Sequence, residues 1–108
     1  GHTGVIEAAT KACKVVDECV GKIAEACKKH GIVMLLTADH GNSEVMVDEK
    51  TGKPQTAHTT NEVPFVLINA PKDTELKDGG ALCNIAPTVL ELFGIEKPIE
   101  MTGESLIK

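Results

Sequence analysis

Aromatic side chains are almost missing from this chain, which has two Phe, no Trp and no Tyr in 108 residues. Any core must therefore be aliphatic, built from Val, Ile, Leu, Ala and Met. An excess of positive charge is missing too. With 11 basic against 16 acidic residues the formal charge is -5. No basic stripe exists to neutralise phosphates, which argues against nucleic acid or an anionic membrane as partner. No apolar run approaches the roughly 18 residues that a membrane span needs, and no signal-peptide pattern appears. The length leaves room for one domain with a modest core, not for two.

Paired cysteine spacings are absent as well. Cys13, Cys19, Cys27 and Cys83 form no C-x-x-C pair and no metal-ligand pattern. Three of them fall within one predicted helix, where Cys13 and Cys19 would lie about 9 Å apart along the axis at ~1.5 Å per residue. That is too far for a disulfide. All four read as small buried apolar residues of a reduced, cytosolic protein. The chain opens on Gly1 rather than Met, as expected of a piece of a longer protein or of residues left over from cloning.

What is present is organised by periodicity. Between residues 5 and 29, Ala9, Ala12, Cys13, Val16, Val20, Ile23 and Cys27 recur at helical spacing, with Cys19 alongside. Charged Glu7, Lys11, Asp17, Glu18, Glu25 and Lys28 take the other face. Lys28, Lys29 and His30 ahead of Gly31 make a good helix stop. Residues 32–36 form a continuous apolar run, as in a strand buried on both faces of a parallel or mixed sheet. Residues 44–47 read as a short second strand and 63–68 as a third, with Pro64 restricting the latter to a strand start or an edge. A polar loop then leads to a helix over residues 85–93, with Asn84 as its N-cap and Gly94 as its stop. Ile85, Val89, Leu92 and Phe93 would be its buried stripe. The tail is irregular and is expected to lie over the body of the domain. The order of elements indicates an α/β fold with a mostly buried sheet flanked by helices.

Chemistry concentrates where these elements end. The apolar run finishes on "TADHGN", which sets Asp39 and His40 beyond the carboxyl end of a strand, where ligands of open α/β sheets collect. His58 lies in the loop before the next strong strand, and His2 just ahead of the long helix. Taken singly each has an ordinary explanation. An Asp-His pair after a strand is commonly a turn bonding its own backbone, His58 a surface loop residue, and His2 a cloning remnant. His30 reads as a dipole partner at a helix end. Ser43 and Ser105 lack a G-x-S-x-G setting, so neither reads as a nucleophile.

The combination reads differently. "GHTG", "TADHGN" and "GKPQTAHTTNEVP", in this order and spacing, resemble the C-terminal part of the phosphatase domain of cofactor-independent phosphoglycerate mutases. The closing "CNIAPTVLELFGIEKPIEMTGESLI" is similar to that family's C-terminus. "DHGN" alone would point only to the wider alkaline phosphatase superfamily; the stretch around His58 is more specific.

The resemblance implies a two-metal site, usually Mn²⁺ with Mg²⁺, Co²⁺ or Zn²⁺ as substitutes, on which a serine is phosphorylated and then dephosphorylated. It implies that His2 and His58 are ligands of one metal, and Asp39 and His40 of the other. The substrate would be phosphoglycerate, interconverted between its 3- and 2-phospho forms in the cytoplasm as a step of glycolysis. The nucleophilic serine, further ligands and the substrate-clamping domain would belong to an N-terminal part of the same enzyme. This chain would then be an inactive fragment carrying half of each site. The alternatives are another phosphomutase or phosphodiesterase of the superfamily, such as a phosphopentomutase, and a non-catalytic metal-binding module. Adjacent side chains on a strand point to opposite faces, so shared ligation by Asp39 and His40 requires the strand to end near Ala38 and the chain to turn at Gly41.

Overall fold

The computed structural model describes residues 1–108. It orders them as α1 (Ile6–Lys29), β1 (Met34–Thr37), β2 (Phe65–Ile68), a 3-10 turn at Leu82–Asn84 and α2 (Ile85–Leu92). Helix and strand are mixed along the chain, as the sequence predicts. Contacts divide it into two units, Gly1–Ala70 and Pro71–Lys108. No helix is long and apolar enough to cross a membrane.

In the first unit, α1 begins where the Thr3 hydroxyl accepts the Val5 N–H at 3.3 Å and Ala9 N–H reaches Val5 O at 3.0 Å. It ends as the sequence requires. Gly31 takes a left-handed φ of 67°, which lets Gly31 N–H bond Lys28 O at 3.3 Å and Ile32 N–H bond Cys27 O at 2.8 Å. These two bonds satisfy carbonyls that the last helical turn would leave open. Asn69, just past β2, donates its side-chain amide to Ile32 O at 2.9 Å and to Cys27 O at 3.4 Å. The end of the second strand is thereby tied to the end of the helix.

β1 and β2 pair antiparallel, from Met34 opposite Ile68 to Thr37 opposite Phe65. The expectation of a parallel or mixed sheet is corrected here. Parallel neighbours are usually joined by a helical crossover, and no helix lies between the two strands. Nor are the strands fully buried: all four residues of β1 are half-buried, and Val66 of β2 is exposed. Residues 44–47 form no strand, only a single bridge from Val47 to Pro54. Turn chemistry wins there, because the Asp48 carboxylate accepts Lys50 N–H at 2.9 Å and Thr51 N–H at 2.8 Å.

The second unit is organised around Thr88, which is fully buried. Its hydroxyl donates to Asn84 O at 2.7 Å and accepts the Leu106 N–H at 2.9 Å. Leu106, 8% exposed, sits in a tail segment that also bridges Leu76 to Ile107. Asn84 holds the N-cap position of α2, as the sequence predicts, but its side chain bonds no N–H of that helix. Its side chain instead accepts Ala81 N–H at 2.7 Å and donates to Glu104 O at 2.8 Å. The predicted stripe on α2 is half-buried at Ile85, Val89 and Leu92, but Phe93 is 74% exposed, and the buried residues are Pro87 and Thr88.

Besides Pro87, Ala9 and Leu106 are the buried apolar residues of the chain. On α1, Val16 is 60% and Ile23 is 53% exposed. Geometry explains the shortfall, since a helix of this length spans about 36 Å at ~1.5 Å per residue. Two four-residue strands reach only about 13 Å. The cysteines follow the helix. Cys13, Cys19 and Cys83 are exposed and Cys27 half-buried, and all four are free thiols, so the expectation of burial is corrected.

Two outcomes follow from these contacts. In native protein Cys13, Cys19 and Cys83 should react with an aromatic disulfide reagent ahead of Cys27; a uniform slow rate would contradict their exposure. Thr88→Val keeps the shape but leaves Leu106 N–H without an acceptor, a loss of about 1–3 kcal/mol. It should abolish amide-exchange protection at Leu106 while leaving Ile32 protected, and unchanged protection at Leu106 would refute the role given to Thr88.

Candidate metal centre

β1 stops at Thr37, one residue before the point that shared use of Asp39 and His40 demands. Ala38, Asp39 and His40 lie in an irregular bend, and Gly41 enters an isolated antiparallel bridge with Thr59. The turn brings Asp39 Oδ1 and His40 Nε2 to 3.6 Å. Two donors bound to one ion at ~2.0–2.2 Å each stand at such a separation.

The other two histidines arrive at the same place. The rings of His40 and His58 stack with centroids 3.5 Å apart and planes 14° from parallel, and His2 lies 5.3 Å from His58 at 53°. All four residues singled out in the sequence are therefore neighbours within the first unit. The stack of His40 on His58 is closer than the contact of His2 with His58 and had no signal in the sequence. His30 stays at the exit of α1, with its N–H on Ala26 O at 3.1 Å. Ser43 donates to Asn42 Oδ1 at 3.4 Å and Ser105 accepts the Ile107 N–H at 3.1 Å.

Two of the rings are oriented by backbone carbonyls. His2 Nδ1 lies 3.1 Å from Thr56 O, and His40 Nδ1 lies 3.0 Å from Gly41 O. A carbonyl oxygen only accepts, so each Nδ1 carries the proton and donates it. In the neutral ring Nε2 then keeps its lone pair, the tautomer that metal-binding imidazoles adopt. Asp39 keeps an 81% exposed carboxylate. Lone pairs lie in the ring plane, so two stacked, nearly parallel rings cannot both aim at one point. His40 and His58 suit two ions better than one. As the side chains stand, no group of three or more His, Cys, Asp or Glu forms a closed metal shell. The donors fit a metal by their chemistry, and one pair of them, Asp39 and His40, stands at the separation of ligands sharing an ion.

Sequence reasoning missed what holds the two loops together. Glu44 accepts the Asn42 N–H at 2.7 Å on Oε2, and on Oε1 the Thr59 hydroxyl and, at 3.2 Å, the Asn61 amide. Asn42 in turn donates its side-chain amide to Thr56 O at 3.3 Å and Ala57 O at 3.1 Å. Gly41 is buried in this mesh. A Cβ there would collide with the Glu44 carboxylate and the Thr59 hydroxyl, so close approach requires glycine. The available signal was the run of hydrogen-bonding residues after each histidine, "GNSE" and "TTN".

The donors around Glu44, first the Thr59 hydroxyl and then backbone amides, hold its pKa down from 4.5 to about 2. The sign follows. A lowered carboxylate pKa means that the bonds favour the ionised form, so their contribution is present above about 4.5 and is lost as pH falls towards 2. The Asn42 amide shift, followed by NMR on acidification, should move with a midpoint well below that of an ordinary Glu. A midpoint at the ordinary value would show that these bonds do not persist in solution.

A family model of the metalloenzyme superfamily matches residues 1–97. The chain is 57% identical over 108 residues to the 2,3-bisphosphoglycerate-independent phosphoglycerate mutase of Clostridium botulinum (strain ATCC 19397 / Type A), an alignment that covers all of this chain and 21% of that protein. It is 53% identical over 107 residues to the enzyme of the same name from Pseudomonas putida (strain GB-1), covering 99% of this chain and 21% of the relative. To 2,3-bisphosphoglycerate-independent phosphoglycerate mutase 1 of Methanosarcina acetivorans it is 56% identical over 107 residues, again covering 99% and 21%. The chain thus spans about a fifth of the length of the curated relatives it matches.

Proposed function

The chain belongs to the metalloenzyme superfamily, and on that premise we propose that it supplies one wall of the two-metal centre of a bisphosphoglycerate-independent phosphoglycerate mutase. The observation that carries this reading is the meeting of His2, Asp39, His40 and His58, with His2 and His40 each holding Nε2 free by donating from Nδ1. The similarity to mutases over the full chain supports it. In the proposed grouping His2 and His58 hold one ion, and Asp39 and His40 the other. Mixed nitrogen and carboxylate donors suit Mn²⁺, with Mg²⁺, Co²⁺ or Zn²⁺ as substitutes. When bound, the metals lower the pKa of a serine hydroxyl and spread the charge of the phosphoryl group in transfer.

The reaction proposed for the whole protein is the interconversion of 3-phosphoglycerate and 2-phosphoglycerate in cytoplasmic glycolysis. The phosphoryl group passes from the 3-oxygen to the serine, glycerate reorients, and the 2-oxygen takes the group back. The serine belongs to another part of the same enzyme, and this segment is the C-terminal portion of its phosphatase domain. Its own residues orient donors: Thr56 O and Gly41 O fix two imidazoles, and the bend after β1 turns Asp39 and His40 to one side. The uncovered apolar stripe of α1, with Val16 and Ile23 exposed, agrees with a segment packed on further chain.

In the intact protein, His58→Ala should lower mutase activity by about 100-fold or more, as loss of a ligand does when the metals stabilise the transferring group. The isolated 108-residue chain should convert neither phosphoglycerate nor a generic phosphomonoester in added Mn²⁺. Metal-dependent turnover by this chain above a His58→Ala control would overturn the assignment of the nucleophile to another segment.

A further inference from the structure

The bridge that aligns the two histidine loops is a single pair, Gly41 with Thr59, closed by Thr59 N–H on Gly41 O at 2.9 Å. In an antiparallel pair centred there, His40 and His58 are diagonal neighbours on one face, within reach of ring side chains. A slip of one residue would carry His58 to the opposite face. A lone bridge pins register weakly, so something else must fix it. We propose that Glu44 is the positioning residue that does so, locking the segment after His40 to the segment after His58 and holding the two imidazoles face to face.

Three observations support the assignment. Glu44 reaches across the bridge to both Thr59 and Asn61 while also accepting Asn42 N–H on its own side. Three of the roughly four acceptor positions of a carboxylate are thus taken by protein donors, which separates Glu44 from Asp39, whose carboxylate is open and beside His40. And Gly41 has no side chain where the Glu44 carboxylate and Thr59 hydroxyl pass, so the lock closes directly over the bridge. The effect on ring stacking stands by itself; the effect on metal affinity rests on the functional reading above.

The test is NMR on the metal-free 108-residue chain, followed by titration with Mn²⁺ alone. Stacked rings shift each other's protons upfield. Glu44→Ala should abolish that shift at His40 and His58 while the amides of β1 and β2 stay in place, which a general loss of stability would not do. It should also weaken Mn²⁺ binding, read from line broadening at the histidine rings, by about tenfold, whereas a change within about twofold would oppose the proposal. Retention of the upfield ring shifts in Glu44→Ala overturns the proposal. If Glu44→Ala loses the β1–β2 amides, Asn61→Ala decides, since it removes one donor and leaves Glu44: reduced ring shifts support the lock and unchanged shifts refute it. Should the unsubstituted chain leave its histidine lines sharp in Mn²⁺, the metal reading fails, while the ring shifts still decide the role of Glu44.

Discussion

The close passage of two loops at Gly41 and Thr59 is the constraint on which the rest of the first unit depends. β1 and β2 are four residues each and half-buried, and between them the chain makes a long excursion without a helix. Its path is set by polar contacts. Gly41 gives up a side chain so that Thr59 can approach, Glu44 fills the space with acceptors, and Asn42 fastens the carbonyls of Thr56 and Ala57. Thr56 O also receives His2, so the start of the chain is drawn into the same mesh. Burial alone could not do this, because few apolar side chains here are removed from water.

From this passage the geometry of the site follows. The bend that ends β1 at Thr37 frees Asp39 and His40 from the alternation of a strand, and the bridge that follows sets His58 against His40. Fixing Nδ1 of His2 and of His40 on a carbonyl restrains ring rotation and chooses the tautomer at once. The orienting groups are backbone atoms, which gives them a fixed position that a long side chain would lack. Rings so held lose less freedom on taking up an ion, which is the advantage of preorganisation.

How far this was legible in the sequence depends on which physical signal each feature leaves. The ends of α1 were readable because Gly31 and the preceding cations encode a local cap, and local geometry is written in adjacent residues. Residues 32–36 and 63–68 were readable as strands; in the structure the first is shifted to Met34–Thr37 and the second shortened to Phe65–Ile68. Burial was not readable. The period of Val16, Val20 and Ile23 gives a face its polarity but not what covers it, and Cys13, Cys19 and Phe93 were misplaced for that reason. Pairing direction was lost because an apolar run is compatible with either. Asn84 was rightly placed at the start of α2, but its side-chain partners, Ala81 N–H and the distant Glu104 O, left no local signal. The four candidate residues were singled out from element ends and motif resemblance, while Glu44 was hidden at the start of a segment read as a short strand.

A contrast in how polar groups are satisfied separates structure from site. Thr88, Asn84, Asp48 and Glu44 each spend their hydrogen-bonding capacity on backbone or side-chain partners of the same chain. Such groups explain a fold and need no further role. His2 and His40 differ: each ring is held through Nδ1 on a backbone carbonyl while its Nε2 makes no hydrogen bond, and the Asp39 carboxylate beside His40 is left open. Holding polar donors rigid without using them offsets none of the conformational entropy lost in ordering them. The stability of this unit does not require that arrangement, whereas the metal role proposed for these residues would use it.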